Sequence, residues 1–145
     1  MLTQTAKYAI RALVYLAQQD PDVFCQTKDI AKTIHVPANY LGKTMQKLAH
    51  ARILDSQKGL HGGFHIARTP NRITLHEIMV AIEAIPRDMA DDPSSDSDEL
   101  PSEVYARLTE ISAQYTQALK QTTLADLLPE DALVKAPTTP AAAAV

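Results

Sequence analysis

The side chains with the clearest chemical potential lie between residues 27 and 68, where cationic and amide groups recur in short segments. Ammonium groups such as those of Lys43 and Lys47 can bind phosphate oxygens or the edge of a guanine base. Polar side chains such as those of Asn39 and Thr44 can hydrogen-bond to base edges. This chemistry predicts contact with double-stranded DNA. The candidate contacts are Lys28, Asn39, Tyr40, Lys43, Thr44, Lys47, Lys58, His61, Gly62 and Gly63.

The histidines and the single cysteine offer weaker alternatives. His61 and His65 are four residues apart, a spacing that joins metal ligands on a helix but not across a Gly-Gly hairpin turn. We therefore favour contact with DNA or water over a metal site. Cys25 has no cation adjacent in sequence to lower the pKa of its thiol, which favours a small, partly buried apolar role over a redox-active disulfide. No catalytic motif is found in the sequence, so we predict neither enzymatic activity nor a bound metal or cofactor.

Three helices are needed to position the candidate contacts. Apolar residues recur at helical spacing over residues 4–19 and predict the first helix. Thr27 is a candidate N-cap for the second helix. A turn over residues 35–38 leads into a third helix that extends to about Ala51, with Pro37 tolerated in its first turn. This spacing is typical of a helix-turn-helix unit.

The third helix is expected to bury one face and expose the other. Its inward residues, at i, i+4 and i+7 spacing, are Leu41, Met45, Leu48 and Ala49. Its outward residues are Asn39, Tyr40, Lys43, Thr44 and Lys47. Gly42 lies mid-helix, at a cost of about 1 kcal/mol relative to alanine. It either allows a neighbouring backbone to approach closely or removes a side chain that would select a base, and the sequence leaves both explanations open.

A β-hairpin should follow the third helix, with strands over residues 53–57 and 64–68. The glycines between these strands supply the freedom of a tight turn, and they are Gly59, Gly62 and Gly63. Lys58 and His61 at the tip of this wing are candidates for contact with an adjacent minor groove. Lys28, at the start of the second helix, is expected to contact the DNA backbone.

The predicted architecture is mainly α with a small β-hairpin wing, a winged helix-turn-helix domain over residues 1–85. Thr74 and Glu77 have the spacing of a capping box and open a fourth helix, which Pro86 stops. Residues 86–103 are rich in Asp, Ser, Pro and Glu, which predicts an acidic, flexible loop.

A long C-terminal dimerisation helix is predicted within residues 104–128. Its narrow apolar seam consists of Val104, Leu108, Ile111, Tyr115 and Leu119. We favour a homodimer over a helix that folds back on its own domain, because paired units gain affinity and recognise a palindrome. Residues 129–145 lack periodicity and are predicted to be a disordered tail.

Charge is divided unevenly along the 145 residues, whose length allows one modest core. Residues 1–88 hold 11 Lys and Arg against 7 Asp and Glu, whereas residues 89–145 hold 3 against 10, so a net charge of −3 conceals a basic N-terminal part. Local placement of charge, rather than the total, governs attraction to phosphates. With no apolar run long enough to span a membrane, no secretory signal and a single cysteine, we expect a soluble, cytoplasmic protein.

Several segments together form a recognisable pattern. It includes the run from Tyr8 to Leu13 in the first helix and Tyr40-Leu41 and Gln46-Lys47-Leu48 in the third. The wing over residues 56–68 and the segment over residues 73–78 complete the pattern. In these segments the chain resembles the Rrf2 family of bacterial winged-helix transcriptional regulators. The resemblance covers about residues 1–85, with the long C-terminal helix in its expected place.

This resemblance implies a homodimeric regulator, for which we expect a repressor that binds a palindromic operator. Many members of the family sense a signal through a [2Fe–2S] cluster held by three cysteines in the loop before the long helix. Here residues 87–99 contain no cysteine, so the thiolates that such a cluster requires are missing. The resemblance therefore supports DNA binding without a conventional cluster, and it leaves the effector unknown. The alternative is a winged-helix adaptor for protein interactions that has lost DNA binding.

Overall fold

The structure is a computed structural model that describes residues 2–85 and 101–133. The helices are α1 (Gln4–Ala17), α2 (Thr27–Ile34), α3 (Ala38–His50), α4 (Leu75–Ala81), α5 (Ser102–Gln121) and α6 (Glu130–Leu133). The strands β1 (Leu54–Gln57) and β2 (Gly63–Ile66) pair in antiparallel fashion, with Leu54 opposite Ile66 and Gln57 opposite Gly63. This arrangement confirms the predicted winged helix-turn-helix class.

Helix α1 forms the centre of the N-terminal domain. The Thr3 side chain caps the helix by accepting a hydrogen bond from the Ala6 amide at 3.1 Å. The buried stripe of the helix consists of Ala6, Ala9, Ala12, Leu13 and Leu16. Because most of these side chains are small, α2 and α3 can pack closely against the α1 backbone. The core cluster continues through Ile30, Leu41 and Ile78.

The first turn of α2 differs from the prediction by one residue. Gln26, not Thr27, occupies the N-cap position, and its side chain makes no capping hydrogen bond. It donates instead to the carbonyl oxygen of Leu60 in the wing, at 2.7 Å. At the other end of α2, His35 adopts a left-handed conformation with φ of 57°, and the Val36 amide donates to the Ala31 carbonyl at 2.9 Å. This tight ending directs the chain into α3.

Helix α4 begins at the predicted capping box. Thr74 accepts from the Glu77 amide at 3.1 Å, and the Glu77 carboxylate accepts from the Thr74 amide at 2.9 Å. Burial raises the pKa of Glu77, but the Thr74 hydrogen bonds and the Arg68 guanidinium outweigh it, so the pKa of this carboxyl is lowered overall. The helix ends at Ala81, earlier than the predicted stop at Pro86, and Glu83 has a φ of 60°.

The C-terminal segments depart from the predicted boundaries. Helix α5 begins at Ser102, inside the stretch expected to be loop, and it ends at Gln121. The chain then returns to the N-terminal domain, because the Leu75 amide donates to the Thr122 carbonyl and the Leu124 amide to the Ile73 carbonyl, each at 2.8 Å. Residues 122–128 are therefore attached to the N-terminal domain rather than continuing a dimerisation helix over residues 104–128.

A short helix, Glu130–Leu133, lies at the start of the stretch that was predicted to be a disordered tail. Residues 86–100, which hold most of the acidic loop, and residues 134–145 lie outside the described part. Among residues 2–85 and 101–133, no helix is long and apolar enough to cross a membrane.

Candidate nucleic-acid interface

The outer face of α3 presents a row of polar side chains at helical spacing. Asn39, Lys43, Gln46 and His50 are all exposed. Consecutive positions turn by about 100° along a helix, which places these four along one side. The prediction contained Asn39 and Lys43 but missed Gln46 and His50, although their spacing of three and seven residues from Lys43 was a usable signal. An amide, an ammonium and an imidazole group in one row can contact both base edges and phosphates.

Thr44 does not lie on this face, and the prediction that its side chain turns outward is wrong. Its exposed fraction is only 3%, and its hydroxyl donates to the Tyr40 carbonyl at 3.4 Å. Thr44 lies within about 60° of Leu41 and Leu48 around the helix axis, on the side that packs against the core. Its polar residue type suggested an exposed position. Thr44 can nevertheless lie in the core, because its hydroxyl hydrogen-bonds to the backbone of its own helix.

Tyr40 connects α3 to α1. Its hydroxyl shares a hydrogen bond with the Thr5 hydroxyl, and its ring meets the Tyr8 ring edge to face with centroids 5.5 Å apart. Part of the ring is still exposed beside Asn39. Tyr40 therefore positions the first turn of α3 and retains a surface that DNA can reach.

The two lysines of α3 have different electrostatic surroundings. The Lys47 ammonium pairs with the Glu83 carboxylate at 2.5 Å, and this hydrogen bond and charge hold the pKa of Glu83 below its usual range. Within residues 2–85 and 101–133, no ion pair involves Lys43, which is exposed. A phosphate approaching α3 would therefore meet a carboxylate beside Lys47 but not beside Lys43. We expect Lys43 to contribute more to phosphate attraction.

Gly42 lies on the side of α3 nearest the start of α2. A Cβ built on it would meet the Thr27 Cγ2 atom at 3.9 Å, which is an ordinary van der Waals distance. Close approach of a neighbouring backbone within the chain therefore does not require glycine here. Of the two explanations left open by the sequence, the structure removes this one.

The wing is fixed to the N-terminal domain through backbone contacts. Cys25 and Phe64 exchange two hydrogen bonds of 2.9 Å, which attach β2 to the segment before α2. Gly63 has a φ of 145°, and a Cβ there would lie 2.2 Å from the Cys25 carbonyl oxygen. A Cβ on Gly62, which is buried, would lie 2.2 Å from the Gln57 carbonyl oxygen. Both glycines were predicted as DNA contacts, but these clashes give them the role of shaping the wing.

The tip of the wing is a tight turn that presents three side chains to solvent. The Gly62 amide donates to the Gly59 carbonyl at 3.0 Å and closes the turn. Lys58, Leu60 and His61 are all exposed around it. The predicted contacts Lys58 and His61 are thus accessible, and Leu60 lies between them. Lys28 is also exposed, in the first turn of α2, where the helix dipole favours an anion.

The two wing histidines occupy different surroundings. His65 packs its ring edge to face against Phe24, with centroids 4.3 Å apart, and its Nε2 atom lies 3.6 Å from an Asp55 carboxylate oxygen. His61 is at the exposed tip. In the described part of the chain, no group of three His, Cys, Asp or Glu side chains could hold a metal ion.

Cys25 is poorly suited to ligate a metal or to act as a reactive thiol. Burial raises the pKa of its thiol, and the nearby Asp29 carboxylate raises the pKa further. A raised pKa disfavours the thiolate, which is the form that binds metals and attacks disulfides. Since the chain has a single cysteine, it cannot supply the three thiolates of a conventional [2Fe–2S] site.

Helix α5 exposes most of its predicted seam. Val104, Leu108, Ile111 and Tyr115 are exposed, and Ile111 reaches 52%. Leu119 is different, because only 5% of its surface is exposed within the single chain. Leu119 therefore adds little exposed surface to the seam of the single chain, and its contribution to a dimer interface stays a prediction.

The sequence of the chain is similar to the sequences of known transcriptional regulators. Residues 2–130 match the model of the Rrf2 family, which is described as an iron-dependent transcriptional regulator. An HTH-type transcriptional regulator of Synechocystis is 32% identical over 130 residues, covering 87% of this chain and 86% of the relative. One from Aquifex aeolicus is 30% identical and covers 88% and 91%.

Solved structures agree with the fold. The T. potens IscR structure superposes with a TM-score of 0.68 at 23% identity, covering 88% of this chain and 85% of that one. CymR, the global cysteine regulator of B. subtilis, gives a TM-score of 0.64 at 24% identity, covering 88% and 95%. These likenesses confirm the fold.

Proposed function

Because the chain belongs to the Rrf2 family of DNA-binding transcriptional regulators, which are not enzymes, we propose that it represses transcription as a homodimer on a palindromic operator. In this proposal α3 enters the major groove and the wing lies in the adjacent minor groove. The observation that carries the proposal is the exposed row of Asn39, Lys43 and Gln46, next to a rigidly attached wing that bears Lys58. Such a pairing of a polar helix face with a cationic hairpin fits a duplex.

The exposed stripe of α5 supports the homodimer. Four large apolar side chains lie along one side of this 20-residue helix, and a second copy of the same helix would cover them. A two-fold dimer presents two copies of α3, so it gains affinity from a palindrome whose half-sites match their spacing. A dimer seated on a promoter blocks transcription without needing any further contact, which makes repression the simplest action.

We also propose that this regulator acts without a conventional [2Fe–2S] cluster. The family is described as iron-dependent, but the one thiol of this chain is that of Cys25, whose pKa is raised by burial. The residues present do not fit a three-thiolate cluster. In this proposal the signal that controls DNA binding acts without such a cluster.

The test begins with selection of bound fragments from the genome by the purified protein. An enriched palindrome would supply the operator, and its affinity for wild type and variants can be measured against salt concentration. Lys43→Ala should lower the slope of log affinity against log salt by about one, because one phosphate contact is lost. Lys120→Ala removes the same charge from an exposed lysine on a different helix, α5, and should leave the slope unchanged.

Two outcomes would contradict the proposal. An unchanged slope in Lys43→Ala would remove α3 from the interface. Failure to enrich any sequence, together with no retention on heparin or nonspecific duplex at low salt, would favour an adaptor for protein interactions. Gly42, which leaves the face of α3 without a side chain at that position, is the feature that suits such an adaptor.

A further inference from the structure

Leu60, at the tip of the wing, is the most exposed large apolar side chain in residues 2–85 and 101–133, with 83% of its surface exposed. We propose that Leu60 is an apolar wedge that enters the minor groove beside each half-site and makes the protein select a deformable base step there. This inference rests on the proposed DNA binding and adds a specificity-determining residue to it.

The backbone beneath Leu60 is fixed. Its carbonyl oxygen accepts a hydrogen bond of 2.7 Å from the Gln26 side chain, and the turn around it is closed by the Gly59 to Gly62 hydrogen bond of 3.0 Å. The base of the wing is attached to Cys25 by two further backbone hydrogen bonds. The backbone that carries Leu60 is therefore held in place, while its side chain is exposed. A backbone that is already ordered loses little conformational entropy on binding.

The side chains around Leu60 match a minor groove. Lys58 and His61 are both exposed on the same turn, so a cation and a titratable imidazole can reach the phosphates that border the groove. The carboxylate of Asp55 lies farther along the hairpin, on β1 beside His65. An apolar group with cationic neighbours is the combination found in proteins that insert wedges between base pairs. A single leucine is also too small to support a protein interface of ordinary size.

The wedge has a consequence for DNA sequence. Inserting an apolar side chain partly unstacks a base step, and pyrimidine–purine steps such as TA and CA unstack most readily. Stiff A-tracts resist the same deformation. The protein should therefore prefer a pyrimidine–purine step at the position that the wing reaches, without forming a hydrogen bond to any base there.

The experiment uses the full-length protein and duplexes that share the selected operator and differ only in the flanking step. Wild type should bind the TA duplex about tenfold more tightly than an AA duplex, an effect comparable to one mismatched base pair. A 2-aminopurine base placed at the TA step should brighten on binding, because it is unstacked. Leu60→Ala should lose both the preference and the fluorescence change. Leu60→Met, which keeps a wedge side chain, should retain them.

The outcomes separate this inference from the function on which it rests. If wild type binds the operator but shows no step preference and no fluorescence change, the wedge is overturned and DNA binding stands. The same holds if Leu60→Ala behaves as wild type in both measurements. Leu60→Ala should keep the salt dependence of wild type, since no charge is removed. If wild type retains no duplex at all, both proposals are overturned.

Discussion

Helices α1 and α5 carry apolar stripes of similar spacing, yet α1 buries its stripe within the chain and α5 leaves most of its stripe in solvent. Every member of the α1 stripe, from Ala6 to Leu16, is buried against α2, α3 or α4. Along α5 only Leu119 is buried. Apolar periodicity thus shows that a helix face is to be covered, but it does not show which surface covers it.

The difference also divides the molecule energetically. The N-terminal domain can be stabilised by its own core, because large side chains such as Leu13, Leu41 and Ile78 are fully buried. Fully burying a large aliphatic side chain contributes about 1.5–3 kcal/mol. On α5, Leu108 and Ile111 are about half exposed, so a large part of that contribution is available only to an interface.

The largest expected effect comes from charging the α5 stripe. Leu108→Glu combined with Ile111→Glu would place two carboxylates where the proposed dimer buries apolar surface, which is strongly unfavourable. The variant should be monomeric by analytical ultracentrifugation, with a folded N-terminal domain. Its affinity for the palindromic operator should fall by at least about 100-fold, because the two α3 helices are no longer linked.

A matched control lies on the opposite side of the same helix. Ala113 and Gln117 are exposed there, and Ala113→Glu with Gln117→Glu adds the same two charges. This control should remain a dimer and bind the operator as wild type does. If the variant with Leu108→Glu and Ile111→Glu still dimerises, α5 is not the interface. The exposure of the apolar side chains on α5 would then need another explanation.

The next largest effect is expected in the N-terminal domain, whose apolar side chains are buried within the chain. Gly63→Ala would place a Cβ 2.2 Å from the Cys25 carbonyl oxygen and force a non-glycine residue to a φ of 145°. Backbone strain of this kind costs about 1–3 kcal/mol, and the clash adds to it. Chemical denaturation at fixed protein concentration should show the loss. Gly59→Ala, with a φ of 101° but nothing within 4 Å, should lose less. Equal losses would mean that the contact with Cys25 does not hold the wing.

The sequence predicted the elements of the N-terminal domain well, because local signals were strong there. The α4 capping box, the apolar stripe of α3 and Gly59 in the wing turn each have a short-range physical cause that can be read from residue types and spacing. The exposed Lys43 and Lys58 followed from the same spacing rules. Local pattern was sufficient wherever the cause of the structure was itself local.

The errors arose where the cause was a distant contact. Thr44 and Leu119 are both buried within the folded chain, and neither residue type nor spacing indicates that burial. Gln26 takes the N-cap position while its side chain contacts the wing, 34 residues away in sequence. Gly63 is required by the backbone of Cys25, which no pattern within the hairpin indicates. Such pairings between remote segments cannot be inferred from residue spacing alone.

The smallest predicted effect is that of Gly42→Ala, which changes α3 and leaves α5 unchanged. The nearest atom to the new Cβ, apart from its own helix, is the Thr27 Cγ2 at 3.9 Å, so alanine fits without strain. Replacing a mid-helix glycine by alanine should raise the free energy of unfolding by up to about 1 kcal/mol. If α5 alone forms the dimer, sedimentation should give the same self-association constant as wild type, because α3 and α5 stabilise different interfaces. A changed constant would show that α3 also contributes to the contact between subunits. If Gly42→Ala is more stable but binds the operator more weakly, then DNA binding, and not packing within the protein, requires a residue without a side chain at position 42.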